Sequence, residues 1–253
     1  MLKLSIMAVV LKADNVRCEL AKGDDLGHTR CALCGIRPYS FCRCLNEDEL
    51  KVFSKISSER MFSDKQNVFL QQEKSKNLYN ITEGNIKIYQ LLTDGRLQII
   101  GFLYPGDFFG SYRQGKYNYS AQAIGDVKVC VFNETILNKH LEKNPKLSRE
   151  LLNITANELT LAQDRIRVLG KLTATERMAN FILNISDQRA RIKWQDNPVS
   201  LPMNRQDIAD YLGLTIATVS REITRLKTSN IIKVLSASQI YINDRTKLSL
   251  LCN

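Results

Sequence analysis

The sequence predicts an α+β protein with an N-terminal antiparallel β-roll, one long helix and a C-terminal winged helix-turn-helix. Three observations carry that reading. Short β-favouring runs punctuated by turn residues fill the first half of the chain. A heptad-spaced apolar helix follows Pro145, and two short capped helices joined by a glycine lie between Asn204 and Leu226. At 253 residues the chain can bury more than one core. Changes of texture divide it into an arm with clustered cysteines (1–45), the roll (46–144), the long helix (145–170) and the helical domain (171–253).

The roll is read between about Leu50 and Leu141. Leu78–Thr82, Lys87–Leu92 and Gln98–Leu103 alternate or are β-branched, as half-buried strands require. Thr93-Asp94-Gly95-Arg96 supplies a hairpin turn in which glycine takes the positive φ. Pro105-Gly106-Asp107 marks a second turn. Short strands at this spacing suit a small antiparallel barrel or roll.

After Pro145 one helix is expected to run to about Gly170. Leu152, Leu159 and Ile166 recur every seven residues, with Thr155, Ala162 and Leu169 at the intervening positions. Small residues in such a seam let two helix backbones approach. A helix packed on its own roll also needs an apolar stripe. The charged flanks Glu158, Asp164, Arg165 and Arg167 favour the seam of a homodimer.

The helical domain opens at Lys171. Asn204 can cap a helix, with Asp207 three residues on as a short-armed capping box. That helix carries Ile208, Ala209 and Leu212 and stops at Gly213. Thr215 caps a second helix with apolar positions at Ile216, Val219, Ile223 and Leu226. Ser220, Arg221 and Arg225 cluster on its exposed side, which an ordinary helical hairpin does not require. Ile231–Leu235 and Gln239–Ile242, joined by Ser236-Ala237-Ser238, read as a two-stranded wing.

Charge points the same way. Lys and Arg number 36 against 26 Asp and Glu, giving +10 and a pI near 9.3. From residue 171 onward there are 12 basic and 7 acidic residues, so the helical domain shares the excess. A basic surface suits a polyanion such as nucleic acid. Met1-Leu2-Lys3 and the run Leu4–Leu11 imitate a secretory leader, but the run is too short for a bilayer. No small-x-small cleavage site follows at Lys12-Ala13-Asp14-Asn15, so a cytoplasmic chain without a membrane partner is expected. Two histidines and no Walker loop, HExxH or nucleophile–base spacing argue against an enzyme.

Seven cysteines stand at 18, 31, 34, 42, 44, 130 and 252. An odd number, four of them crowded between Cys31 and Cys44, makes a poor disulfide framework and a better metal or cluster site. Cys31, Cys34, Cys42 and Cys44 could hold structural zinc. Gly35 and Pro38 let the chain bend around such a site. Cys18 and Cys252 lack cluster spacing, and His28 is expected to face solvent as a loop residue.

Arg205 to Thr215, RQDIADYLGLT, followed by Thr218-Val219-Ser220-Arg221, resembles the helix-turn-helix of the Crp/Fnr superfamily. The order of roll, long helix and winged domain is similar to that family's, whose roll is of the jelly-roll, cyclic-nucleotide-binding type. Cys31-x2-Cys34-x7-Cys42 with a distant Cys130 resembles the Fnr/FnrN (FixK-like) branch. That resemblance implies a [4Fe-4S] cluster on Cys31, Cys34, Cys42 and Cys130, lost in oxygen, with Cys44 as an alternative third ligand. It also implies a homodimer through Leu152, Leu159, Ala162, Ile166 and Leu169, a palindromic promoter site in double-stranded DNA similar to TTGAT…ATCAA, and RNA polymerase as a partner. Regulation of anaerobic or microaerobic respiratory genes would follow. A regulator gated by haem, nitric oxide or thiol oxidation would share the fold without needing four cluster thiols.

Within the second helix, the resemblance places Ser220 and Arg221 at base-reading positions and Thr215 and Thr218 at phosphate, with Arg225 also meeting phosphate. The family pattern has Glu three residues before the Ser. Here that position is Ala217, which can touch only a thymine methyl. Cyclic-nucleotide binders of the superfamily carry Gly-Glu and Arg-Ser pairs on the roll. The matching stretches, Phe109 to Arg113 and Asn118 to Ala121, have neither, so no cyclic nucleotide is expected.

Overall fold

The structure, a computed structural model, describes residues 29–110, 115–191 and 197–252. The readings made for Met1–Leu11, Cys18, His28 and Arg113 fall outside these residues. Two 3₁₀ turns, Arg37–Tyr39 and Phe41–Cys44, carry the cysteine segment. Helix α1 (Glu47–Ile56) follows, started by a reciprocal capping box between Asn46 and Glu49.

Strands β1 (Ser57–Phe62), β2 (Asn67–Phe69), β3 (Asn77–Leu91), β4 (Leu97–Leu103), β5 (Phe108–Gly110) and β6 (Ser120–Asn133) form an antiparallel sheet. Its path is β1-β6-β3-β4, with β2 added to β6 and β5 to β3. The long pair β3 and β6 runs in register from Asn77↔Asn133 to Tyr89↔Ser120, interrupted by shifts around Glu83. Gly84 lies at this bend with φ +81°, and a Cβ there would sit 2.3 Å from the Asp126 carbonyl oxygen. The bend lets one strand contain both Leu78–Thr82 and Lys87–Leu91, expected as parts of two separate strands, while Leu92 falls just past its end. The predicted turn at Thr93–Arg96 is present, closed by the Leu92 amide on the Arg96 carbonyl with Gly95 at φ +83°.

The strand-rich reading is corrected at both ends. Leu50 and Phe53 belong to α1, and Leu137 and Leu141 to α2 (Glu134–Lys143), where helical spacing puts each pair on a buried face. Asn133 caps α2 and Asn144 caps α3 (Pro145–Lys171), whose first position is the proline. Inside the roll, Ile81, Ile86, Ala121 and Val129 are fully buried, and Phe69 stacks on Tyr117.

The C-terminal part consists of α4 (Ala174–Arg191), β7 (Val199–Ser200), α5 (Arg205–Leu212), α6 (Ile216–Thr228), β8 (Ile232–Ser236), β9 (Gln239–Ile242) and α7 (Arg245–Leu250). Its core joins Met178, Ile182, Leu201, Ile208, Val219, Leu226, Ile240 and Leu248. The wing is a three-stranded sheet, β7-β9-β8, rather than the predicted two strands, and β8 starts one residue later than expected. At the junction, the Arg177 guanidinium donates to the carbonyls of Leu169, Leu172 and Leu212. It therefore fastens the end of α3 to the end of α5. Among the described residues no helix is long and apolar enough to cross a membrane.

Candidate nucleic-acid interface and cysteine cavity

Helices α5 and α6 are built by their caps. The Asn204–Asp207 capping box starts α5, and Gly213 ends it in the left-handed conformation at φ +62°. Thr215 then caps α6, accepting from the Thr218 amide at 3.1 Å. Val219, Ile223 and Leu226 turn into the core, which leaves Ala217, Ser220, Arg221, Thr224 and Arg225 on the open face. The Arg221 guanidinium rests on the Thr218 hydroxyl at 3.1 Å. Arg225 donates to the Thr175 hydroxyl of α4, which in turn donates to Glu222. Ile216, read from sequence as a core position, is instead 46% exposed.

The first helix of this pair docks on the roll. Lys87 of β3 lies 2.6 Å from Asp207, and both side chains are largely buried. Gln98 of β4 donates to the Asp210 carbonyl at 2.7 Å. Arg165, expected as a solvated flank, instead donates to the carbonyls of Ile99 and Tyr211 and lies 3.6 Å over the Tyr211 ring. Nothing in local spacing signals these contacts, because they join elements more than 40 residues apart.

The predicted seam residues are open on the chain. Leu152, Leu159 and Ile166 are 68%, 60% and 73% exposed, with Ala162 also exposed and Leu169 half-buried. They form an apolar stripe along α3 that the chain's own roll leaves uncovered.

Cys31, Cys34, Cys42 and Cys130 line one cavity of about 550 Å³, although Cys130 comes from β6, Cys42 from the second 3₁₀ turn, and Cys31 and Cys34 from the irregular stretch before the first. Cys44 is not among its walls; its thiol donates to the Phe41 carbonyl at 3.4 Å. The four-thiol set with Cys44 that zinc would use is thus not gathered at one place. No three His, Cys, Asp or Glu side chains among the described residues converge on a single-ion site. Thiols spread around a wider cavity are what a multi-iron group uses, one thiolate per iron.

Burial pushes the Cys42 thiol well above its ordinary range, with Cys31 and Cys130 adding to it. Burial likewise pushes Cys130 up to about 11, the neighbouring Cys34 adding to it. Cys34 is also raised by burial, but the amides of Ile36 and Arg37 pull it back. Such N–H···S bonds favour the thiolate. Arg30, Arg37 and Lys128 also line the cavity, together with Glu59 and Glu83, the latter paired with Lys128 at 2.8 Å. Arg30 is held by Ser57, whose carbonyl and hydroxyl accept at 2.8 and 2.7 Å. The half-buried Cys252 stands apart, its thiol on the Leu248 carbonyl.

The cysteine segment is buttressed against the fold. Phe41 is fully buried, with ring centroids 4.6 Å from Phe108 and 5.4 Å from Phe132. Arg43 pairs with Glu150 of α3 at 2.8 Å.

Comparison with known proteins agrees with this architecture. Residues 59–144 match the cyclic nucleotide-binding domain and residues 176–251 the Crp-like helix-turn-helix domain. The chain is 40% identical to the nitrogen fixation regulation protein FixK of Bradyrhizobium diazoefficiens, covering 81% of this chain and 86% of that protein. It is 34% identical to the anaerobic regulatory protein of Haemophilus influenzae, over 85% and 84% of the two chains. The solved structure of FixK2 from Bradyrhizobium japonicum superposes with a TM-score of 0.74 at 34% identity, covering 78% of this chain and 98% of that one. The chain therefore belongs to the Crp/Fnr family of DNA-binding transcription regulators and is not an enzyme.

Proposed function

We propose that this chain is an oxygen-responsive transcription activator whose cysteine cavity holds a [4Fe-4S] cluster. The observation that carries the reading is the gathering of Cys31, Cys34, Cys42 and Cys130 around one cavity, with Cys44 turned away. Relatives named for anaerobic regulation and nitrogen fixation support it. When bound, the cluster would supply an oxygen-labile cross-link between the arm and β6. The chain's own residues do the rest: the Ile36 and Arg37 amides favour the Cys34 thiolate, and Arg30 places positive charge at the cavity wall.

The working form in this reading is a cytoplasmic homodimer through the exposed stripe of α3, bound to a palindromic promoter site and acting with RNA polymerase. Helix α6 enters the major groove. Arg221 and Ser220 reach base edges, Thr215, Thr218 and Arg225 serve the phosphates, and Ala217 meets a base without polar contact. In this reading the cysteine arm ends at residue 45, the roll at 144 and the dimerisation helix at 170. No cyclic nucleotide is required. A second cavity, between the roll and α3, has mostly apolar walls with the Glu158 carboxylate, and the Tyr119 hydroxyl there already accepts the Gly110 amide.

Anaerobic purification followed by iron and sulfide analysis, with an ultraviolet-visible spectrum before and after air, tests the cluster. One [4Fe-4S] per chain with a visible band bleached by air is expected. Bound zinc without sulfide would overturn the proposal.

A further inference from the structure

We infer that Asn80 of β3 is a positioning residue for the cluster, its side-chain amide donating an N–H to the Cys130 thiolate and so setting how readily oxygen destroys the site. The inference rests on the proposal that the cysteine cavity holds a [4Fe-4S] group. Strand alternation sends Tyr79 and Ile81 into the roll interior and puts Leu78 and Asn80 on the opposite face, beneath the cysteine segment. Leu78 packs there with Phe41, Phe132 and Leu147. Asn80 lines the cavity instead and is only 3% exposed. In the β3–β6 register it stands directly opposite Cys130, so the two side chains are neighbours on one face.

A carboxamide is a costly choice for that place. Asn80 Oδ1 is buried and meets no donor among the described residues. Its Nδ2 reaches only the carbonyl of the adjacent Ile81 at 3.3 Å, beyond the usual length of an N–H···O bond. A hydrocarbon side chain would fill the same position without burying an unpaired polar group. An amide held this loosely can turn about its soft terminal torsion and present an N–H to the cavity. Two of the other cysteines already have donors: Cys34 takes the Ile36 and Arg37 amides, and Cys42 the Ser40 hydroxyl. Nearby, Arg30 is committed to Ser57 and the Thr82 hydroxyl to the Lys128 carbonyl. Asn80 therefore has an N–H to spare beside Cys130. A donor on a ligand sulfur stabilises the more negative, reduced state of an iron–sulfur group and raises its reduction potential.

The full chain, purified anaerobically as wild type, Asn80→Leu and Asn80→Ala, tests this. Losing one hydrogen bond to a charged sulfur shifts the redox equilibrium about tenfold, which is about 59 mV for a one-electron couple. The potential of both variants should fall by that amount, and bleaching at a fixed oxygen concentration should quicken about three- to tenfold. The deuterium shift of the iron–thiolate Raman bands should shrink in the same variants, which a mere change of packing would not cause. Wild-type potential, bleaching rate and Raman shift in either loaded variant, or loss of iron in both, would overturn the inference while the cluster reading stands. Wild-type protein without iron and sulfide would instead remove the premise.

Discussion

Replacing Lys87 by methionine removes the cation that the roll presents to Asp207 and keeps most of the aliphatic stem. The ammonium lies 2.6 Å from the carboxylate, and the two side chains are only 15% and 9% exposed. Asp207 would retain the Asn204 amide at 3.4 Å, a long bond for a buried charge. Stranding one member of a buried pair costs about 3–5 kcal/mol. Here the cost has a ceiling, because the helical domain can leave the roll and let water reach Asp207. The loss cannot exceed the free energy of docking, which also draws on Gln98, Arg165 and the Phe102–Tyr211 contact. Lys87→Met should therefore undock α5 before it unfolds either core. Amide hydrogen exchange on the full chain would show faster exchange in peptides covering β4 and α5, with the β3–β6 pair unchanged. Adding Asp207→Asn should restore most of the protection, since no buried charge then remains. Wild-type exchange in α5 of the single variant would refute the reasoning.

Cys130→Ser and Cys42→Ser should abolish iron and sulfide loading, while Cys44→Ser and Cys252→Ser load as wild type; full loading of the Cys130 variant would defeat the ligand set. Ile166→Glu should leave the fold intact, as the side chain is 73% exposed, yet lose two buried isoleucines per dimer. Sedimentation should then show a dimer weakened by roughly 3–6 kcal/mol, and a normal dimer would place the seam elsewhere. Arg177→Ala frees three carbonyls at the junction of α3 and α5. Charged hydrogen bonds are worth about 1.5–3 kcal/mol each; with water replacing most of them, a net loss of about 1 kcal/mol should lower the C-terminal transition by about 4–8 °C in calorimetry.

The architecture was legible because its signals are local. The caps at Asn204 and Thr215, the Gly213 stop and the Gly95 turn each act over three or four residues, and each stands where the sequence puts it. Cys42 is preferred to Cys44 in the sequence only through the family resemblance, because no local pattern separates the two. Two residues apart, they would share a face in a strand, but the 3₁₀ turn at Phe41–Cys44 points them about 120° apart. Only that local geometry sends one thiol to the cavity. Ile216 misled because its spacing matches the core face while its place at the helix end lifts it clear of the core. Arg165 misled because a charge on a helix flank is normally solvated, and its carbonyl partners lie on other elements. The two-residue β7 carries no periodicity, so its addition to the wing could not be read.

The cysteine segment meets α3 through two links, and their magnitudes decide which one can transmit a change. The Arg43–Glu150 pair has its guanidinium 53% exposed, so it is worth no more than about 1 kcal/mol. Coupling between sites commonly needs about 1–3 kcal/mol, which that pair alone does not supply. Phe41 is fully buried in a cluster that holds Phe53, Phe108, Phe132 and Leu147, the last of these in the first turn of α3. Truncating such a ring to alanine costs about 3–5 kcal/mol. Under the proposed function, the aromatic plug rather than the ion pair would be the mechanical tie between the cavity and α3. Arg43→Ala should leave the oxygen response of promoter binding unchanged within about twofold. Phe41→Leu, which keeps the site apolar but loosens it, should retain iron and sulfide loading while narrowing the difference in DNA affinity between anaerobic and air-exposed protein. A full oxygen response in Phe41→Leu, with its loss in Arg43→Ala, would reverse the assignment.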